Sequence, residues 1–331
     1  MVFHIQNRRY IGSKFKLLDW IFLNLPNNVG VACDIFAGSG VVANEFIANS
    51  NSKKIIINDF LYSNEIIYNA FFNSANADCK ILNKIKDFYN TELKTEPNYF
   101  SDNFSDKFFS ANDCLKIGTI REHILSVNLS NIEKNILLAS LIYSMDKIAN
   151  TVGHFEAYRK REKPQDKFKF ELIKPTKNDK EIEIYRSDSN ALARQIKADL
   201  VFVDPPYNSR QYSRFYHVYE NLVQWQKPKL SGVALKQKEE NMSEYCRISA
   251  PNAFADLIKN LNCRYIAVTY NNTYTSKSSS SRNKISFDEI CDILSDKGKL
   301  EIKEKNHAHF NAGKSDLKGH KEFLFLVRVV K

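Results

Sequence analysis

The chain has 331 residues, 43% hydrophobic and 26% charged, proportions that fit a soluble folded protein and exclude a disordered or fibrous one. Forty-eight Lys and Arg stand against 38 Asp and Glu, and the net charge of +10 favours a polyanionic partner. Cysteines at 33, 79, 114, 246, 263 and 291 form no C-x-x-C pair. They are expected as separate, buried, reduced thiols, with no zinc site and no other metal. The first residues lack the apolar core of a signal peptide, and no apolar run approaches the eighteen or so residues of a membrane span. The expected location is cytoplasmic, with no membrane partner.

In chain order, apolar runs of strand length fall at 29–34, 55–59, 182–186, 200–204 and 265–270, each followed by a turn and a helical pattern. Strands alternating with helices predict an α/β fold: a mostly parallel, doubly wound, Rossmann-like sheet. Residues 300–305 and 322–330 read as strands with no helix between them, and so as an antiparallel edge. The alternation breaks over 71–175, which holds helical patterns at 82–89 and 132–148. A hundred residues is too long for a loop, so this stretch is expected to be an inserted, mainly helical subdomain, leaving 1–70 and 176–331 as the catalytic domain. The serines at 278–281 predict a mobile loop.

The first strand runs into DIFAGSGVVANEF, residues 34–46, where Gly38 and Gly40 allow a tight turn against a ligand. Gly38-x-Gly40-x-x-Ala43 satisfies a loose dinucleotide fingerprint, and Asp59 stands where a ribose-binding acid belongs. A nicotinamide enzyme is one reading. Asp34, however, places a negative charge ahead of the glycines. It would repel a pyrophosphate and attract an ammonium group, which S-adenosylmethionine carries together with a ribose.

The strand at 200–204 ends in Asp204-Pro205-Pro206-Tyr207. Two prolines cannot continue a sheet ladder, so they make a stiff corner that fixes Asp204 and Tyr207 in direction. Ligands of a parallel sheet gather beyond the carboxyl ends of its strands, where Asp34, Asp59, Asp188 and Asp204 all lie. If Asp204 and a main-chain carbonyl accept the two protons of an exocyclic amine on a base, its lone pair turns toward a methyl sulfonium. Tyr207 is expected to stack on a base rotated out of the duplex, so Phe should replace it with less harm than Ala. With residue frequencies near ~5%, a given tetrapeptide arises by chance in such a chain roughly 0.2% of the time.

Together these motifs resemble the Dam-like, alpha-group adenine-specific DNA methyltransferases. Arg9-Tyr10-Ile11-Gly12-Ser13-Lys14 is similar to the family's amino-terminal motif, which implies that Tyr10 and Lys14 touch the cofactor. Asp34-Ile35-Phe36-Ala37-Gly38-Ser39-Gly40 is similar to the cofactor loop, Asn58-Asp59 to the ribose site, and Ser187-Asp188 to the acid near the cofactor's adenine, although many relatives have glycine in place of Ser187. Asp204-Pro205-Pro206-Tyr207 is similar to the catalytic motif, in which Asp204 also meets the cofactor. The likeness implies S-adenosylmethionine as cofactor, double-stranded DNA as partner, no required stable protein partner, and functional pairing with a restriction endonuclease. DPPYNSRQY is most similar to modification methylases of type II systems, including CATG-specific ones.

Arg159, Lys160, Arg161 and Lys163 follow Phe155 and Tyr158 within the insertion, which suits phosphate contacts plus stacking or groove insertion; the alternative is a solvated basic face. His154 reads as a loop hydrogen-bonder. Arg210 and Arg214 could hold the DNA backbone, or pair with Glu220 or Glu162. The rival activities are transfer to cytosine N4 or to RNA adenine, and outside enzymology a silent DNA-binding relative, which the intact DPPY disfavours.

Overall fold

Seven strands form one sheet: β1 (Val31–Asp34), β2 (Lys54–Asp59), β3 (Glu181–Arg186), β4 (Leu200–Val203), β5 (Tyr265–Asn271), β6 (Gly298–Asn306) and β7 (Lys321–Val329). The structure, a computed structural model, describes residues 2–160, 163–275, 279–306 and 319–330. The strand order is β3-β2-β1-β4-β5-β7-β6. The first five strands are parallel, and β7 runs antiparallel to both β5 and β6. The strands predicted from apolar runs are all present, and the terminal pair makes the expected antiparallel edge.

The chain lays β2 and β3 on one side of β1, then returns to place β4 on the other. The switch point of the sheet therefore lies between β1 and β4, which are in register from Ala32↔Leu200 to Asp34↔Phe202. These strands hold the apolar centre: Ala32, Cys33, Leu200, Val201, Phe202 and Val203 are all buried. Helices Ala250–Asn260 and Phe287–Lys297 bury Phe254, Leu257, Ile258, Ile290 and Leu294 in the same core as Val203, Val268 and Phe325. The second of these helices starts at a capping box, in which Ser286 Oγ accepts from the Glu289 amide and Glu289 accepts from the Ser286 amide. The edge strand β6, GKLEIKEKN, alternates charge with apolar residues and so resists edge-to-edge pairing.

The chain divides into two compact units. One comprises 12–60, 179–212 and 241–331 and carries the entire sheet; the other comprises 1–11, 61–178 and 213–240. The insertion expected over 71–175 is thus part of a unit that also takes in the amino terminus and a segment beyond the proline corner. Side chains far apart in sequence explain why. Tyr143 Oη donates to the Ile5 carbonyl (2.7 Å), the Arg9 amide to Asp146 Oδ2 (2.9 Å), and Tyr219 Oη to Asp146 Oδ1 (2.5 Å). The centre of this unit is helix Asn131–Ile148, buried on nearly all sides from Ile136 to Asp146. Its polar Ser140 and Ser144 are satisfied by accepting from the Ile173 and Glu171 amides.

The expectation that every cysteine is buried is corrected: Cys33, Cys114 and Cys246 are, Cys263 and Cys291 are half-buried, and Cys79 is exposed on a polar helix face. Among the described residues no three His, Cys, Asp or Glu side chains are placed to hold a metal ion, and no helix is long and apolar enough to cross a membrane.

Candidate active site

From Asp34 the chain turns into helix Val41–Asn49 through Gly38 (φ 52°) and Gly40 (φ 78°), the left-handed region where a Cβ is costly. This turn lets the Gly38 amide donate to Asp59 Oδ2 at 2.9 Å. Asn58, fully buried, ties three strand ends together. Its Nδ2 donates to the Ile35 carbonyl (3.0 Å) and the Ser187 carbonyl (3.1 Å), and its Oδ1 accepts from the Ser187 amide (3.0 Å). Ser13 and Ser39 hydroxyls meet at 3.2 Å, joining the amino-terminal motif to the loop.

Asp34 is 1% exposed, and its carboxylate oxygens make no well-formed hydrogen bond, the Ala43 amide facing the group without closing one. Burial, followed by repulsion from Asp204 and Asp59, pushes its carboxyl well above the usual range, with the Ala43 amide and Lys14 opposing the shift. An orphaned carboxyl beside a glycine turn is costly to keep and fits a cationic ligand group.

At the end of β4 the proline corner is anchored from outside. The Tyr207 carbonyl accepts from the Lys284 amide (2.8 Å) and from Tyr270 Oη (3.2 Å), and the Tyr207 ring lies 4.4 Å from that of Tyr270. Asp204 is surrounded by donors: Lys14 Nζ at 2.8 Å on Oδ2, Tyr207 Oη at 2.6 Å and Thr269 Oγ1 at 2.9 Å on Oδ1. Lys14 Nζ also reaches Glu322 Oε1 (3.4 Å) and the Gly12 carbonyl (3.1 Å), and Tyr207 Oη lies 2.9 Å from Glu322 Oε1. The Lys14 and Glu322 side chains are nearly buried, at 5% and 4% exposed, whereas Asp204 keeps 18%. The carboxylate thus stays reachable while its rotamer is fixed.

The sheet-bearing unit therefore holds Lys14, Asp34, Phe36, Gly38, Gly40, Asp59, Asp188, Asp204, Pro205, Pro206, Tyr207 and Arg210. Phe36 packs edge-on to Tyr245 at 5.0 Å. Asp188 caps helix Ser189–Ala193, accepting from the Ala191 amide at 3.0 Å. Tyr10 belongs to the other unit, stacked on Tyr216 at 4.8 Å with the Arg8 guanidinium 4.9 Å from its ring centre. Sequence reasoning missed Glu322 and Thr269. A signal was present for Glu322: period-two alternation along β7 places it on the buried face with Leu324, where a carboxylate needs a partner.

In the helical unit, Arg159, Lys160 and Lys163 are exposed, and the Arg159 backbone is pinned to Asn150 through its amide (3.2 Å) and carbonyl (3.1 Å). Arg161 and Glu162 lie outside the described residues. Phe155 is corrected: at 1% exposed it packs among Phe108, Phe109, His217 and Tyr219, so it is core and cannot stack on a base. Tyr158 is half-buried against Phe108, and His154 stacks on Phe215 while its Nδ1 accepts from the Glu156 amide. Arg214 donates to the Gln237 carbonyl (2.9 Å). Glu220, a possible partner for the arginines, instead accepts from the Tyr62 and Ser63 amides at the start of helix Tyr62–Phe72.

Comparison with known proteins adds to this geometry. A family model described as D12 class N6 adenine-specific DNA methyltransferase matches residues 10–299. The chain is 27% identical to the type II methyltransferase M.NlaIII of Neisseria lactamica, over 94% of this chain and 95% of the relative. It is 29% identical to the type II methyltransferase M.CviAII of Paramecium bursaria Chlorella virus 1, over 97% and 98%. With the modification methylase StsI of Streptococcus sanguinis it shares 32% identity, over 80% of this chain and 44% of that protein.

Proposed function

Since this chain belongs to the D12 class N6 adenine-specific DNA methyltransferases, we propose that Asp204 polarises the adenine amine and that the rim around Asp34, Gly38, Gly40 and Asp59 holds S-adenosylmethionine. Acting on adenine N6 of specific DNA sites is the activity of the class, so cytosine N4 and RNA adenine are not favoured. The observation that carries the reading is the state of Asp204: three donors fix it at the end of β4, yet it remains partly exposed.

S-adenosylmethionine supplies the methyl group as a sulfonium electrophile. Asp34 would meet its ammonium, satisfying a buried carboxyl that makes no well-formed hydrogen bond within the protein. Gly38 and Gly40 admit the close approach, and Asp59 would accept from the ribose hydroxyls, with Phe36 and Asp188 toward the adenine. Asp204, with a lone pair to spare, would accept a hydrogen bond from the target amine and turn the nitrogen's lone pair toward the methyl group, and the proton that the amine sheds on methylation would leave past its partly exposed carboxylate to solvent. Catalysis is then by position and polarisation. The target base would have to leave the duplex to reach Asp204. Incubating the protein with labelled S-adenosylmethionine and unmethylated DNA, then separating nucleosides, tests the reading: label in N6-methyladenine is expected, and label in any other nucleoside overturns it.

Tyr207 gives a sharper expectation than stacking alone. Its hydroxyl holds Asp204 at 2.6 Å, so Tyr207→Phe should lower kcat roughly tenfold, the range for losing a hydrogen bond to a charged group, and Ala should cost more because the ring is lost too. Wild-type kcat in the Phe variant would show the hydroxyl to be idle.

Arg159, Lys160 and Lys163 would contact phosphates, joined by Arg161, Arg210 and Arg214. Arg159→Ala, Lys160→Ala and Lys163→Ala should each weaken binding alike on cognate and unrelated DNA, and each lower the slope of log affinity against log salt by about one unit. A loss confined to cognate DNA would instead mean that the residue reads a base. The relatives' names as type II methyltransferases and modification methylases support a protective role beside a restriction endonuclease. DNA from cells expressing the chain should resist nucleases that cut unmethylated CATG, the site that the likeness of DPPYNSRQY suggests.

A further inference from the structure

We propose that Glu322 is a positioning residue for methyl transfer, drawing on the Lys14 ammonium so that Asp204 faces the amine and the sulfonium as part of a net anion. This rests on the reading of Asp204 given above. Lys14, nearly buried, lies between two carboxylates, 2.8 Å from Asp204 and 3.4 Å from Glu322. With Asp204 alone it would form a neutral pair, and a neutralised carboxylate attracts a cation weakly. With Glu322 ionised the three groups sum to one negative charge, in surroundings where water screens little.

Tyr207 adds a second constraint. Its hydroxyl has one proton and lies within hydrogen-bonding distance of both carboxylates, 2.6 Å from Asp204 and 2.9 Å from Glu322. Donation to Asp204 leaves Glu322 dependent on Lys14, and donation to Glu322 leaves Asp204 with Lys14 and Thr269. In either arrangement Glu322 competes with Asp204 for the same donors, and so leaves Asp204 more acceptor capacity for a substrate amine. Other charged groups also face this cluster: Asp34, whose own carboxyl is pushed up by burial and by Asp204 and is drawn the other way by Lys14, and Lys305, opposite Glu322 on β6, which turns its ammonium to the Trp20 ring at 5.9 Å.

The methyl donor is cationic at sulfur and its demethylated product, S-adenosylhomocysteine, is neutral there. A charge that acts through Asp204 must therefore discriminate between them, whereas a residue that merely supports the fold would weaken both equally. Glu322→Gln should lower affinity for S-adenosylmethionine on the order of tenfold, as expected for removing one nearby charge, and leave affinity for S-adenosylhomocysteine within about twofold. Glu322→Asp, which keeps the charge, should restore the ratio.

A pH profile gives a second readout. Burial chiefly, and Asp204 as well, raise the Glu322 carboxyl above its ordinary range, with Lys14 opposing. Protonation on acidification would then make the wild type resemble Glu322→Gln, so the ratio of their kcat values should shrink as pH falls through that raised pKa. Calorimetric titration of both ligands with wild type and both variants, alongside melting curves, decides the matter. Equal losses for the two ligands, or a kcat ratio independent of pH, would overturn the role of Glu322. If Glu322→Gln does not fold, a Glu322→Asp protein with the wild-type ligand ratio supports the role, and one in which both affinities fall together sinks it. Failure of the wild type to bind S-adenosylmethionine would instead remove the functional reading itself.

Discussion

Asp204→Ala is expected to lower the rate of methyl transfer by about 10²-fold or more, the cost of removing a hydrogen-bond acceptor that acts in the transition state, while leaving the melting temperature close to that of the wild type. The reason for the split is local. Asp204 lies at the end of β4 and its side chain is 18% exposed, so truncation opens no core cavity. Nor does it strand a charge: Lys14 keeps Glu322 and the Gly12 carbonyl. Cofactor affinity should fall less than kcat, because Asp34 and the glycine loop are untouched. Single-turnover methylation at saturating cofactor, with equilibrium titration alongside, measures both. Near wild-type turnover with normal cofactor affinity would remove Asp204 from the chemistry and leave its three donors without a catalytic purpose.

How much of this could be read from the chain depends on how local the information is. The strands β1, β2 and β4 announce themselves by short apolar runs that end in Asp34, Asp59 and Asp204. A parallel sheet then places those acids along one rim, because all its strands point the same way. The glycine turn and the proline corner were legible for the same reason, since each fixes its backbone within a few residues. Glu322 was not. Its role depends on β7 lying beside β5, so that a residue over a hundred positions from Asp204 shares its tyrosine and its lysine. Phe155 misled for the opposite reason: next to basic residues it looks like a stacking group, but its neighbours in space, Phe108, Phe109 and Tyr219, come from distant segments. The extent of the helical unit was hidden likewise, because hydrogen bonds such as Arg9 to Asp146 carry no local signature.

Lys14→Met should cost both stability and activity, and its stability cost should depend on pH. Methionine fills much of the volume, so the deficit measures the charge: Asp204 and Glu322 would be left close together without the cation that separates them. Breaking a buried pair by removing one partner costs about 3 to 5 kcal/mol, well beyond an exposed pair. The folded protein relieves part of that cost by holding a proton on one of the two carboxyls, raising its folded pKa above the unfolded value. The folded state of the variant then binds more protons than the unfolded state, so the variant gains stability as pH falls through the raised pKa and its deficit against the wild type narrows. The deficit should therefore be larger at pH 8 than near pH 5. Urea denaturation of the two proteins at pH 8 and near pH 5 measures it, and methyl transfer at pH 8 should drop by about 10²-fold or more, because the lysine that fixes Asp204 is gone. A deficit below about 1 kcal/mol, unchanged between the two pH values, would mean that solvent reaches the Lys14 ammonium and that the two carboxylates do not depend on it.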